Sequence, residues 1–408
     1  MPFNALLRIA LRNLMRQVRH SAFALAAIVF GVAGLALADG FIRDVFFQLG
    51  EATVRGQLGH LQVARPGFRE SGAGRPEAFV IERTEAIRSA LRGDSRIESV
   101  AGRLQVSGVI NVENRELPVE VEGVEPTPEA VDGTYLTLLD GVGLDRGGAH
   151  AALLGEGVAR HLGVRRGDYV TLTSATVDGS MNAVELEVAG VFRTFSKEFD
   201  DRTIRIPLAD AQELVQVAGV NTIVIHLRRT DDTGAVLADL VGRSQLRGLD
   251  LQPWYILSDF YASTRELYAR QFGILRLIAL VLIAMSVLTS TNITVFERTA
   301  EFGTMRALGA ESRTVVKLLA LESAALGFAG ALLGVAVAIV AGMLISWIGI
   351  PMPPPPNAEA GFTARVLLSP VALLGAAGVG VASSVIGGCL PSFRAARLPI
   401  VYALGKRV

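Results

Sequence analysis

Few residues in this 408-residue chain have the type and spacing for covalent chemistry. The five histidines, His20, His60, His150, His161 and His226, are dispersed, and no H-E-x-x-H pair sets two imidazoles on one helical face for a metal. Cys389 is the single cysteine, which excludes an intrachain disulfide and a cysteine-ligated cluster. No G-x-S-x-G nucleophile elbow occurs. Gly155-Glu156-Gly157 is a bare G-x-G and reads as a strand-to-helix turn. Lys197-Glu198-Phe199-Asp200-Asp201-Arg202 could bind a cation, but a solvated hairpin tip fits its mixed charges better. No G-x-x-x-x-G-K-[ST] loop is present, so ATP hydrolysis by these residues is not expected. Nothing here argues for an enzyme or a metal site.

The informative segment runs from Phe296 to Ala310: Phe296-Glu297-Arg298-Thr299-Ala300-Glu301-Phe302-Gly303-Thr304-Met305-Arg306-Ala307-Leu308-Gly309-Ala310. It is too charged for lipid and too regular for a plain loop. Helical spacing puts Phe302, Met305 and Leu308 on one face, with Glu297, Arg298, Glu301 and Arg306 around them. Such a helix could be gripped by a docking partner, or could lie on a membrane surface; spacing alone leaves both open. Glu322 is the one acidic residue inside a predicted span, about a turn past Lys317 and close to the cytoplasmic interface. A mid-membrane carboxylate would cost about 2.5–3.5 kcal/mol, so a snorkelling or paired structural carboxylate is the favoured reading, with no partner for a proton relay evident.

The elements that position these residues follow from composition. Half the chain is hydrophobic, 19% is charged and mean hydropathy is +0.42, whereas Lys plus Arg and Asp plus Glu both total 39. A single water-soluble globule is not expected, and net charge gives no sign of nucleic acid. Four apolar runs, Ala22–Ala38, Leu277–Phe296, Ser323–Ile350 and Val366–Phe393, have the length for membrane helices. Arg8, Arg12, Arg16 and Arg19 precede the first run, Arg298, Arg306, Arg313 and Lys317 surround the second connection, and Arg394, Arg397, Lys406 and Arg407 follow the last. Positive-inside reasoning puts both termini in the cytoplasm and the large intervening domain outside. The leader could be a cleaved signal peptide ending at Ala36-Leu37-Ala38, but its arginines lie opposite Leu7, Leu11 and Leu14, as in a retained interfacial helix.

The expected fold is therefore an α-helical membrane protein with four transmembrane helices and a large α+β extracytoplasmic domain between helices 1 and 2. Its segments are an amphipathic helix (1–20), a first span (21–39), an α+β domain of two interleaved subdomains (40–256), a stem helix (257–276), a second span (277–296), a cytoplasmic helix (297–314), a third span (315–350), an outer loop (351–365), a fourth span (366–391) and a tail (392–408). Within the domain, helix Thr84–Leu91, hairpin Val100–Val112/Glu116–Val124 turning at Glu113-Asn114, and a strand–helix–strand unit from Ala151 to Thr173 are expected. Val184–Phe195 and Thr203–Pro207 are expected to pair around the charged turn, and Ser258 to cap the stem helix. Met352 to Pro356 reads as a stiff connection. Gly330, Gly334, Ala338 and Gly342 recur every four residues, a smooth face for close packing, either static or, less favoured, a seam that slides. Thr289, Ser290, Thr291, Asn292 and Thr294 can bond to neighbouring helices or backbone, a lining role being the lesser reading.

The Phe296–Ala310 segment resembles the E-R-x-x-E-[FI]-G-x-x-[RK]-A-L-G-A signature of FtsX-like and MacB-like ABC transporter permeases, with Ala300 where a basic residue is frequent. Pro391-Ser392-Phe393-Arg394-Ala395-Ala396-Arg397-Leu398-Pro399-Ile400 resembles the P-x-x-R-A-A-R-x-x-P ending of that family, with the last proline one residue early. Leu154-Gly155-Glu156-Gly157 through Asp168, and Val191–Phe195 with Glu198 and Asp200, resemble the branch of lipoprotein-releasing transmembrane subunits. The resemblance implies that Glu297, Arg298, Glu301, Phe302, Gly303, Met305, Arg306 and Leu308 form a helix coupling the chain to a separate ABC ATPase. It further implies two ATPase copies, a second permease chain as homo- or heterodimer, contact with membrane lipid and a possible lipoprotein or periplasmic partner. No cofactor is expected on this chain; ATP and Mg would be used by the ATPase. The implied work is mechanotransmission in a bacterial inner membrane, extracting or exporting lipoprotein or lipid-like substrates. Regulation of an envelope hydrolase without transport, MacB-like efflux of peptides or small molecules, and a stand-alone receptor are the alternatives.

Overall fold

A computed structural model describes residues 6, 8–10, 12–13, 18–71, 75–125, 136–352 and 361–397. In chain order it contains α1 (Val18–Thr53), a π turn (Val54–Leu58), β1 (Leu61–Ala64), α2 (Thr84–Leu91), β2 (Ile97–Val112), β3 (Arg115–Val124), β4 (Thr137–Gly141), β5 (Ala151–Gly155), α3 (Glu156–Leu162), β6 (Tyr169–Ala175) and β7 (Met181–Arg193). It continues with β8 (Thr203–Pro207), α4 (Leu208–Val215), β9 (Thr222–Leu227), α5 (Thr233–Val241), β10 (Asp250–Pro253), α6 (Asp259–Glu297), α7 (Thr299–Ala307), α8 (Ser312–Ile348) and α9 (Pro370–Arg397). Leu7, Leu11, Leu14, Arg16, Pro353 to Pro356, Leu398, Pro399, Lys406 and Arg407 lie outside the described residues. The chain divides into two compact units, one of 1–46, 265–351 and 363–408, the other of 47–264 and 352–362.

In the first unit, four helices are long and apolar enough to cross a membrane. Their core joins Ile28, Val32 and Ala36 of α1 to Ile283 and Val287 of α6, Leu326 and Ala338 of α8, and Ala376 of α9. Small residues set the spacing. A Cβ on Gly330 would lie 2.6 Å from Ile28, and one on Gly334 would lie 2.8 Å from Val32. Ala338 is wholly buried and Gly342 faces Leu368, so the whole four-residue stripe is packed within the chain. Approach to a neighbouring helix backbone is closest at Gly387, where a Cβ would sit 2.3 Å from the Ala284 carbonyl oxygen. Hydroxyls inside these helices bond to their own backbone, Ser384 to Gly380, Ser392 to Gly388 and Thr289 to Met285. Large apolar side chains such as Phe30, Leu282, Leu332 and Leu374 point outward, as helices solvated by lipid require.

The second unit is built on a ten-stranded sheet, ordered β10-β1-β9-β2-β3-β8-β5-β7-β4, with β6 pairing both β2 and β7. Those pairings close β2, β3, β8, β5, β7 and β6 into a ring, which leaves these six strands without free edges. Leu104, Val106, Val121, Leu154, Leu172, Val188 and Ile204 fill its interior, with Val158 and Leu162 of α3 and Leu214 of α4. A second cluster gathers Leu61, Val63, Ile223 and Ile225 beneath Ile87, Leu91, Val236 and Leu240 of α2 and α5. Strand β2 belongs to both: its first half pairs β9 and its second half pairs β3 and β6.

One expected pairing is wrong. β7 and β8 do not pair, because β5 lies between them, parallel to β7 and antiparallel to β8. The segment between is a single helical turn, Lys197–Asp200, capped by Ser196. Asp200 is buried there, accepting from the amide and hydroxyl of Thr194, while Glu198 and Arg202 remain exposed, so the run is solvated in part but is not a hairpin tip. Gly155 and Gly157 admit that turn, since a Cβ on either would collide with Asp200 or Asp201.

Gly387→Val should destabilise the detergent-solubilised protein by about 1–3 kcal/mol, because the branched side chain meets backbone that cannot rotate away. Gly378→Ala, with nothing within 4 Å of the new Cβ, should be neutral or stabilising by up to about 1 kcal/mol. Thermal unfolding of the two variants beside the parent checks the pair.

Candidate functional site

The connection from α6 to α8 carries α7, and one residue sets its direction. Arg298 stands in the break between α6 and α7 with non-helical φ −104° and ψ 15°. Its guanidinium is buried and uses separate arms: Nε donates to Glu301 at 2.8 Å, and Nη1 donates to Glu322 at 3.0 Å. The same group lies 5.2 Å over the Phe302 ring. Glu322 also accepts from Nδ2 of Asn13 at 2.7 Å. The reading of Glu322 as a paired structural carboxylate thus holds, with Arg298 and Asn13 as its partners.

Phe302 is 2% exposed and packs with Val295, Val315, Leu318, Leu319 and Ala395. Leu6 and Ala10 of the N-terminal segment are buried in the same cluster, so these residues pack on protein rather than on a lipid surface. The expected stripe of Phe302, Met305 and Leu308 divides. Phe302 and Gly303 face inward and Met305 is half-buried, whereas Leu308 is 84% exposed. The helix stops at Ala307, and Leu308 and then Gly309, at φ +95°, turn the chain away before helical periodicity could bring Leu308 back to the core. Glu297, Ala300, Glu301, Thr304, Ala307 and Leu308 form the outward side, and Arg306 is half-buried.

In the second unit, the other polar cluster closes the end of α1. A helix C-terminus leaves carbonyls without intrahelical donors, at the negative end of its dipole. Here the helix widens into the π turn, and two arginines supply donors: Arg103 of β2 bonds to the Gln57 carbonyl at 2.8 Å and Arg205 of β8 to the Gly56 carbonyl at 3.0 Å. Both also grip Glu122 of β3, at 2.8 and 2.9 Å. Burial alone would raise the Glu122 carboxyl, but the two guanidiniums override it and hold it below the usual range. Beside this triangle, the buried His60 accepts from the Leu227 amide at Nδ1, and its Nε2 pairs with Thr230 Oγ1, which in turn donates to Glu51. Burial pushes His60 down to about 4, Glu51 opposing and Arg55 reinforcing; burial and the charge of His60 push His226 down to about 3.

A cleft of about 560 Å³ opens nearby, lined among others by Gln62, Gln105, Glu120, Glu122, Asp250 and Gln252. Arg65, Arg69 and Arg202 also line it, with apolar Phe68, Val106, Val121 and Leu257, so its wall mixes both charges with apolar surface. Among the described residues no cluster of three or more His, Cys, Asp or Glu side chains could hold a metal. The arrangement offers anchored helix ends and one outward-facing helix.

Residues 21–243, more than half of the chain, match the MacB-like periplasmic core domain, and residues 273–400 match the FtsX-like permease C-terminal region. The chain belongs to the FtsX-like and MacB-like family of ABC transporter permeases. It is a membrane protein with a periplasmic-type domain. The lipoprotein-releasing system transmembrane protein LolC of Xylella fastidiosa is 25% identical over 62% of each chain. The macrolide export ATP-binding/permease protein MacB of Marinobacter nauticus is 23% identical over 98% of this chain and 60% of its own. The chain thus spans about three fifths of the length of these curated relatives. Among solved structures, the periplasmic region of MacB from Actinobacillus actinomycetemcomitans aligns with TM-score 0.34 and 14% identity, over 48% of this chain and 89% of that one.

Two outcomes follow for the second unit. His60 and His226 stay neutral when folded but protonate near pH 6.5 when unfolded, so between about 6.5 and 4 the unfolded chain binds more protons. Stability should be full above pH 6.5 and fall as pH drops, by on the order of 3 kcal/mol for His60 at pH 4. Urea unfolding followed by Trp254 fluorescence in a Trp347→Phe background measures this, and His60→Gln should flatten the slope. Glu122→Ala leaves two buried guanidiniums without their carboxylate and should cost about 3–5 kcal/mol in the same assay.

Proposed function

We propose that this chain is the non-catalytic permease subunit of an ABC transporter, working by mechanotransmission in a bacterial inner membrane. A separate ATPase pair beneath two permease chains supplies the force, and ATP and Mg are bound there. The supporting observation is α7, a charged helix between two membrane helices, held from behind by Arg298 with Glu301, Thr304 and Leu308 turned outward. In this reading α7 and both termini are cytoplasmic, and ATP-driven closure of the ATPases displaces α7 together with α6 and α8. Glu301, Leu308 and Glu297 make contact; Arg298, Phe302 and Gly303 hold the helix in place, which divides a motif whose residues sequence treats alike.

For substrate, the reading is a lipid-anchored or amphipathic molecule taken from the outer leaflet, lipoproteins first, since a lipoprotein-releasing transmembrane protein is among the relatives. Efflux of a peptide or small molecule is the second reading, favoured by the alignment with a macrolide exporter along 98% of this chain and by a pyoverdine export relative in Pseudomonas entomophila. Affinity purification of the tagged full chain in mild detergent tests the coupling. An ABC ATPase should be recovered with the parent and fall at least about tenfold with Glu301→Lys or Leu308→Asp, a loss of about 1.4 kcal/mol or more. Equal recovery with both variants would refute α7 as the docking element. Release of a labelled lipoprotein from reconstituted vesicles, against extrusion of a dye-like solute, separates the two substrate readings.

A further inference from the structure

Glu322 of α8 is largely but not wholly buried and belongs to no element of the outward face, and Asn13 lies in a segment whose helical residues precede α1. Both converge on the carboxylate–guanidinium pair that fixes where α7 begins. Glu322 Oε1 takes Asn13 Nδ2 at 2.7 Å and Arg298 Nη1 at 3.0 Å, and its Oε2 takes the same Nη1 at 3.4 Å. Arg298 then spends its Nε on Glu301 and its flat face on Phe302. The guanidinium thereby ties α8 to the first turn of α7, and the Glu322 carboxylate adds the N-terminal segment through Asn13. Phe302, on which the guanidinium lies, packs in an apolar cluster with Val295, Val315, Leu318, Leu319, Leu6 and Ala10. In such surroundings a charge left without its partner is costly, so the pair holds one geometry rather than several.

We infer that Glu322 and Asn13 are positioning residues for the ATPase-coupling helix: acting through Arg298, they hold α7 in the one orientation in which movement of a docked ATPase passes into α8 and the N-terminal segment. This rests on the coupling role proposed above for α7. Neither residue lies on the outward face, so their loss leaves the docking surface in place and removes its fixed angle. The geometry also requires arginine. A lysine ammonium is a single point that cannot reach Glu301 and Glu322 from separate arms while lying flat on Phe302.

The test uses the full chain in lipid nanodiscs, with Cys389 replaced by Ser and nitroxides on the exposed positions Ile9 and Thr304. Without any ATPase, the parent should give one narrow distance distribution by double electron–electron resonance. Glu322→Gln and Arg298→Lys should at least double its width, Asn13→Leu should broaden it less, and the Asn13→Leu/Glu322→Gln pair should be no broader than Glu322→Gln alone. With the co-purified ATPase, Glu322→Gln should retain binding within twofold and leave the KM for ATP unchanged. Its permease-dependent kcat should fall about tenfold, with helical content by circular dichroism unchanged from the parent. An unchanged distance distribution in Glu322→Gln overturns the positioning role, whatever the ATPase does. Broadening with full coupling also overturns it, because the angle would then be irrelevant to transmission. If no ATPase accompanies even the parent, the coupling role of α7 fails, while the distance measurement still judges the geometry.

Discussion

The end of a helix cannot be left bare inside a protein, and much of the second unit is arranged around that constraint. The π turn after α1 presents the carbonyls of Gly56 and Gln57 to Arg103 and Arg205, and Glu122 holds those two arginines against each other's charge. The three side chains come from β2, β8 and β3, adjacent strands of the closed ring. Their shared face is polar because the other face is committed to the apolar interior around Leu104, Val121 and Ile204. Strand alternation therefore delivers the donors, and ring closure keeps them from sliding.

The first unit meets the same demand for a fixed geometry differently. Between apolar helices the hydrophobic effect gives no preference for one partner over lipid, so order comes from close approach and from a few polar pairs. Gly330, Gly334 and Gly387 allow the approach; Asn13, Arg298 and Glu322 supply the pair. One mechanism removes side-chain volume, whereas the other concentrates charge where water is scarce. Together they hold α7 through its buried side and leave the other side open.

Much of this was legible in sequence, for identifiable reasons. Four apolar runs, the hairpin at Glu113-Asn114, helix Thr84–Leu91 and the strand–helix–strand unit from Ala151 have strong local periodicity, and Ser258 accepts from the Tyr261 amide as a cap should. Local pattern cannot report which strands become neighbours, so the pairing of β7 with β8 was misjudged when β5 intervened. β1 escaped notice because four residues, Leu61 to Ala64, are too short to alternate. The α7 motif was recognised as a unit, but its division into an inward Phe302 and an outward Leu308 depends on a helix end at Ala307. The partner of Glu322 was hidden for a simpler reason: Arg298 lies 24 residues away and Asn13 lies 309 away. The arginines beneath Glu122 were unremarkable in sequence, where each is one charge in an alternating strand.

The pairing of β1 with β10 bears on how such a chain is made. Ala64 faces Asp250, a separation of about 190 residues, and β9 must slot between β1 and β2 before that side of the sheet is complete. Contacts so distant along the chain form late during synthesis, since the second strand does not exist until the intervening residues have been made. By then α1, with its apolar stretch, has long left the ribosome. The newborn domain thus spends much of its synthesis with the Leu61–Ala64 strand unpaired, a period in which a holding chaperone on that side of the membrane would have something definite to hold.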